Sequence, residues 1–311
     1  MDEILKAVFY VVIFPGLIFT GSIGLFICWI DRKITARIQS RIGPPWYQCY
    51  ADILKLMGKT MILPKGSRKT GFLLSPLLGL AGITLVSTIV WKVNIYPELS
   101  FIGDLIVVLY LLILPSLALI IGGSSSRNPF GTLGASREIK MMLAYELPFL
   151  IAIFTVVVKT QSILLGKIVE FQSLKGVLIT NPSCIIAMIV CFVCMQAKLG
   201  YLPFDIPEAE SEIIGGTCAE YSGASLALFK LTNAMMLFIL PVFLITLFLG
   251  GIHFSLKGML LAIIEYLTIL VLITLVKTTN PRLRIDQAVN FFWWIVTPVS
   301  AAGMILALVG V

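Results

Sequence analysis

Apolar residues in this chain run in long blocks rather than short alternations. Eight blocks reach the roughly 20 residues that a bilayer-spanning helix needs. They are 4–30, 71–91, 101–122, 141–160, 182–199, 224–249, 258–277 and 290–310. Pro15, Pro76, Pro115, Pro148, Pro241 and Pro298 fall inside them. Kinks are expected there, because proline removes a helix hydrogen bond that neighbours in a bundle can replace. Between the first two blocks lies a 40-residue stretch, 31–70. After Pro44-Pro45, Tyr50, Ile53, Leu54, Met57 and Met61 fall on one side of a helix, with Asp52, Lys55 and Lys59 on the other. This predicts an amphipathic helix over 46–61, lying on the membrane surface or packed on the bundle and ended by Pro64, Gly66 and Ser67. The expected fold is an all-α membrane protein. Residues 1–311 form one integral membrane domain, a bundle of about eight transmembrane helices with an amphipathic helix at the cytoplasmic face.

Composition agrees and narrows the function. Charged residues make up 13% of the chain, against about 25% in a soluble domain, and mean hydropathy is +1.01. A net charge of +7 would suggest nucleic acid in a soluble chain. Here the basic residues flank spans, so they report topology and no nucleic-acid partner is expected. With eight spans both termini share a side. Sixteen of the 23 Lys and Arg fall on the side holding 31–70, six on the other, and Lys230 within a span. The positive-inside rule therefore puts 31–70 and the connection 200–223 in the cytoplasm and both termini outside, in a multi-pass plasma-membrane protein. The first block is too long for a signal peptide and reads as a retained helix. Of six cysteines, Cys191 and Cys194 have metal-site spacing, but no second pair or nearby His completes a ligand set. They read as small buried hydrophobes, and neither an iron–sulfur cluster nor zinc is expected.

The connection 200–223 carries Asp205, Glu208, Glu210, Glu212 and Glu220, five of the sixteen acids. Asp205, Glu208 and Glu212 share a helical face at i, i+3 and i+7, with Glu210 off it. Like charges packed so closely raise one another's pKa values and ease proton sharing. Spacing alone equally fits a solvated connector, although Phe204, Ile206, Ile213 and Ile214 are interleaved as though the segment packs. Glu146 is expected one to two turns inside the fourth span, which Ser136 would cap. It fits either a charge-transfer role or an ion pair with Arg137 or Lys140. Arg37 and Arg41, at i,i+4, form a basic face suited to lipid phosphate or to a docked protein. His253 reads as solvated; Asp104 and Glu265 receive no role.

Residues 202–223 resemble the acidic loop of the channel-like subunit that anchors the peripheral arm in respiratory complex I and in the related membrane-bound, energy-converting nickel–iron hydrogenases. Arg41-Ile-Gly-Pro44 with Ala51-Asp-Ile-Leu-Lys-Leu56 resembles that family's surface-helix motif. Asn280-Pro-Arg-Leu-Arg-Ile-Asp286 resembles the end of its seventh span, and the likeness runs from about Ala36 to that point. The resemblance implies a proton or ion path through Glu146, Asp205, Glu208, Glu210, Glu212 and Glu220. It implies docking of the redox arm on Arg37, Arg41, Asp52, Lys55, Arg137, Arg282 and Arg284. It also implies a non-catalytic subunit without a cofactor, whose hydrophilic partners carry iron–sulfur clusters and, in a hydrogenase, a nickel–iron centre. Antiporter-like membrane subunits and lipid would be further partners.

Two departures bear on the branch. The Gly-Pro segment is contracted to Gly43–Gln48, and Asn233 stands where quinone-using members tend to have an acid, with Lys230 nearby. Both resemble the membrane-bound hydrogenases and the archaeal ferredoxin-oxidising, sulfur-reducing complexes. The alternative within the family is the quinone-site subunit of a complex I. An independent secondary transporter would show internal repeats with paired broken spans, and none is evident. A pure anchor leaves the loop acids unexplained.

Overall fold

The structure, a computed structural model, describes residues 2–310, apart from the side chains of residues 2–4, 7, 210 and 211. The first block is two helices, α1 (Asp2–Val12) and α2 (Leu17–Ile38), parted at Pro15. The Pro15 carbonyl accepts from the hydroxyls of Thr20 and Ser87, each at 2.8 Å, so the break leaves it satisfied inside the bundle. Next come the surface helix α3 (Gln48–Met57) and the long α4 (Lys69–Ile95). The third block splits into α5 (Asp104–Leu111) and α6 (Leu114–Ser125), followed by α7 (Pro129–Thr160). Short α8 (Leu165–Lys175) precedes α9 (Pro182–Lys198), and the single turn α10 (Glu210–Ile213) lies in the acidic loop. Then follow α11 (Ala224–Phe248), α12 (Leu256–Thr279) and α13 (Ile285–Phe291), which passes through a π-helical turn into α14 (Thr297–Val309).

Each expected span is present. Seven are long and apolar enough to cross a membrane, while α9 has 17 residues and rises only about 26 Å. The prolines separate into two groups. Pro76, Pro148 and Pro241 sit inside continuous helices, whereas Pro115 and Pro298 start new ones, where the missing N–H is no loss. At the π turn the Thr297 hydroxyl donates to the Phe292 carbonyl at 2.8 Å.

Three expectations are corrected. The surface helix ends at Met57 with Gly58, well before Pro64. Its bundle-facing side is Cys49, Tyr50 and Ile53 against Leu25 and Ala234, whereas Leu54 and Met57 are exposed. Ser136 caps nothing: α7 begins earlier, with the Asn128 side chain accepting from the Phe130 N–H at 2.9 Å. Asn-Pro supplies both the cap and a first-turn residue with no N–H to satisfy. Arg37 and Arg41 are not one helical face, because α2 ends at Ile38 and Ser40 turns the chain with φ 58°.

The apolar helix α11 is the centre of the bundle. Its most apolar stretch is 89% buried, against 28% for α12 and for the C-terminal span. It packs on α2 and α4, while α7 packs on α6, α9 and α14. The connections gather at two ends. At one, the Ile62 N–H donates to Ser222 Oγ at 3.1 Å and Asn128 to Glu220 at 2.6 Å. At the other, the Ile252 N–H donates to Asn94 at 2.8 Å. Asp104, fully buried, accepts there from the N–H groups of Leu105 at 2.7 Å and Leu165 at 2.9 Å, so it joins the start of α5 to the start of α8.

Asp104→Ala should destabilise the detergent-solubilised protein by about 1–3 kcal/mol, because it leaves buried N–H donors without an acceptor. Asp104→Asn, which keeps the accepting oxygen, should melt close to wild type. Equal melting temperatures for Asp104→Ala and wild type would show that this link carries no stability.

Candidate functional site

The acidic segment is held by its apolar residues. Phe204 and Ile206 are buried, and the Phe204 ring lies 4.9 Å from that of Phe292. Gln196, at the end of α9, donates to the Leu202 carbonyl at 2.8 Å. Glycine is required both where the loop approaches α7 and where the loop folds on itself. A Cβ on Gly134 would meet the Thr217 nitrogen at 2.7 Å, and one on Gly216, at φ 49°, would meet the Pro207 carbonyl oxygen at 1.9 Å. The loop backbone therefore lies directly against a membrane helix.

With the backbone fixed in this way, the acids point apart. The expectation of one acidic helical face is overturned, since only 210–213 is helical. Asp205 pairs with Arg282. Glu212 pairs with Arg137 at 2.6 Å, and this guanidinium holds its carboxyl below the usual carboxylate range. Mutual repulsion would have raised it, so Glu212 keeps its charge at neutral pH. Glu220 accepts from Asn128. Glu208 turns inward and accepts from the Cys218 thiol at 3.7 Å; burial pushes that thiol's pKa up, so it stays protonated. The Glu210 side chain lies outside the described residues.

Glu146 is a buried-pair acid whose partner is neither Arg137 nor Lys140. It binds Lys198, the last residue of α9. Lys198 has a side chain only 1% exposed, and its ammonium also sits 5.1 Å and 4.9 Å from the centres of the Tyr145 and Phe149 rings. A charge so deeply desolvated needs its counter-ion. Beside it is a cavity of about 30 Å³ lined by Glu138, Lys198, Asp205, Glu208, Ser116 and Asn233, among others. That volume admits a water molecule, and acids around one water are arranged for proton exchange. Ser116 continues the polar line to the Tyr145 hydroxyl at 2.9 Å. On the outer side of the loop a cleft of about 240 Å³ is lined by Arg137, Glu212, Arg282, Arg284 and Asp286 with apolar neighbours.

The residues expected to dock a partner divide. Arg37, Arg41, Lys55 and Arg284 are exposed. Arg137 and Arg282 are turned to the loop acids, and Asp52 pairs with Arg32 at 3.0 Å. Sequence reasoning missed Glu138 and Lys198, both buried. An earlier start of α7 at Asn128-Pro129 would have put Glu138 inside a span. It also missed Asp31, 2% exposed, bound by Lys277 at 2.8 Å and Thr274 at 3.1 Å. The apolar pattern puts Asp31 at the start of a connection, but α2 runs seven residues further. Cys191 and Cys194 are packed in the main core.

Comparison with known proteins gives one answer at two levels. The NADH dehydrogenase family profile matches residues 10–308. The chain is 33% identical over 297 residues to an NADH-quinone oxidoreductase subunit from Carboxydothermus hydrogenoformans, covering 91% of this chain and 83% of the relative. It is 34% identical over 308 residues to the corresponding subunit from Dehalococcoides mccartyi, covering 96% and 84%. A chain of the archaeal membrane-bound sulfane sulfur reductase, a respiratory membrane complex, superposes with a TM-score of 0.84 at 30% identity, over 99% of this chain and 100% of that one.

The Lys198–Glu146 pair yields a double-variant test. Lys198→Met alone strands a buried carboxylate, and losing one member of such a pair costs about 3–5 kcal/mol. Lys198→Met with Glu146→Gln should recover most of that loss in a thermal melt of the solubilised protein. Additive losses in the double variant would mean that the two side chains do not depend on one another.

Proposed function

The chain belongs to the NADH dehydrogenase family, as a membrane subunit of the complex I type, and from that premise we propose that it anchors and couples a multisubunit, ferredoxin-oxidising respiratory complex of the membrane-bound hydrogenase or sulfur-reducing kind. The observation that carries this reading is the continuous polar line from the loop to the bundle interior. It runs from the arginine-latched Asp205 and Glu212, through the cavity of Glu138 and Glu208, to the Lys198–Glu146 pair. A soluble redox arm would dock on the exposed end of the bundle, cytoplasmic by the charge bias, using Arg37, Arg41, Lys55 and Arg284. Its electron transfer would shift the loop, exchange the partners of Asp205 and Glu212, and so change the charge next to the cavity. Glu208 and Glu138 then take up or release a proton, and Glu146 passes the change towards partner membrane subunits that move protons or sodium ions. The redox centres belong to the partners. On this reading the chain supplies docking and charge relay.

A second reading, the quinone-site subunit of a complex I, is favoured by the relatives described as NADH-quinone oxidoreductase subunits. Against it, the cavity presents Asn233, an amide that cannot ionise, at the place where the quinone-using branch tends to have an acid. The description of the relatives as subunits also favours a part of a larger complex over an independent transporter.

Coupling should fail before assembly does. In vesicles holding the whole complex, Glu138→Gln and Glu208→Gln should assemble yet move about tenfold fewer ions or less per electron passed, since Gln cannot carry the proton. An unchanged ratio and rate in both variants would reduce the chain to an anchor.

Docking has its own test. Arg37→Ala with Arg41→Ala should release the peripheral subunits while leaving the membrane subunits together on native gels. If the full complex persists with normal activity, those arginines hold lipid phosphate instead.

A further inference from the structure

The surface helix α3 meets the bundle through one small cluster, and two thiols face each other within it. Cys49, on the buried side of α3, is 2% exposed and packs with Leu25, Ile53 and Ala234. Cys28, on α2, is only partly buried and touches the same cluster. The two side chains meet in this cluster, although they are 21 residues apart on separate helices. Neither takes part in the polar line described above. The other four cysteines lie elsewhere: Cys184, Cys191 and Cys194 in the main core and Cys218 in the acidic loop.

We propose that Cys28 and Cys49 are a disulfide-forming modification site that staples α3 to α2 when the membrane meets a low-molecular-weight disulfide or polysulfide. The two side chains already share one packed cluster, and bonding requires that the sulfurs close to about 2.05 Å. The order of events follows from exposure. Cys28 is the accessible sulfur; Cys49 lies behind it. Arg32, one turn along α2, is within electrostatic reach of both sulfurs. The neighbouring Cys28 sulfur, followed by burial, pushes the Cys49 thiol's pKa up, so Cys49 keeps its proton.

The Cys28 thiolate attacks the oxidant R–S–S–R, forming Cys28–S–S–R and releasing one thiolate RS⁻. Cys49 gives its proton to that thiolate and attacks the Cys28 sulfur, releasing the second RS⁻. The two cysteine sulfurs are oxidised by two electrons in total, and the oxidant leaves as two reduced thiols. The product adds a covalent tie to a helix otherwise held by the apolar cluster, the Tyr50 hydroxyl's bond to the Ser22 carbonyl at 2.7 Å and the Asp52–Arg32 pair, with Leu54 and Met57 exposed on its outer side. Asp52, paired with Arg32, and Lys55 move with it.

The test needs no activity assay and does not rest on the proposed function. The intact complex in native membranes is treated with 4,4′-dithiodipyridine, an uncharged aromatic disulfide. Remaining thiols are blocked with N-ethylmaleimide, and the unreduced digest is read by mass spectrometry. A peptide linking Cys28 to Cys49 is expected, together with hydrogen exchange over residues 48–57 slowed by about tenfold and restored by dithiothreitol. In Cys28→Ser, Cys49 should remain a free thiol that is alkylated only after unfolding. A wild-type digest in which Cys28 carries the pyridylthio group with no link to Cys49, or in which both cysteines are alkylated, overturns the proposal. So does an unchanged exchange rate in protein whose cross-link is complete.

Discussion

A lysine ammonium buried at the membrane-helix end of α9 is tolerable only with an anion beside it, and Glu146 of α7 is that anion. The pair fixes the separation of two helices that are also packed through Ala152, Val156, Ala187 and Cys191. Its worth lies less in net attraction than in the penalty for separating the charges, since desolvation has already been incurred by both. The Tyr145 and Phe149 faces give the ammonium a second, weaker stabilisation. Lys198 also lines the acid cavity with Glu138 and Glu208, so one ammonium belongs both to the pair and to the cavity wall.

The loop above it follows the same rule on the wetter side of the bundle. Its backbone is pinned by Phe204 and Ile206 and by contacts that glycine alone permits, so its carboxylates can exchange partners without unfolding the segment. Arg137 comes from α7 and Arg282 from the turn after α12. Each latch therefore ties the loop to a different membrane helix, and a displacement of the loop must alter both. Asp31, Thr274 and Lys277 repeat the arrangement between α2 and α12, with the Lys277 ammonium 4.2 Å from the centre of the Tyr201 ring at the start of the loop. Three ion pairs thus surround one irregular segment. Regular helices supply the low-dielectric walls that make these pairs matter.

At the far end buried side chains bond largely to backbone, as where Gln172 donates to the Thr246 and Leu247 carbonyls at 3.2 Å and 3.1 Å. Lysines there are exposed or half-buried, and among the described residues the ion pairs are gathered at the other end. This asymmetry agrees with the bias of Lys and Arg between the connections.

The sequence by itself determined the spans, the surface helix and the acidic loop, because length of apolar run and helical period are local properties that a bilayer enforces. It also singled out Glu146 and the loop acids, since acids in such a chain stand out against lipid-facing residues. Tertiary structure decided their partners. Spacing placed Asp205, Glu208 and Glu212 on one face, but packing of Phe204 and Ile206 outweighed the local helical preference and turned the acids apart. Lys198 read as a topological flank until the fold buried it against Glu146, and Glu138 was hidden by a helix start placed too late. Which charges meet depends on helices brought together from 20 to 246 residues apart in the chain. No local pattern carries that information, because the energy of an ion pair depends on distance and burial in three dimensions.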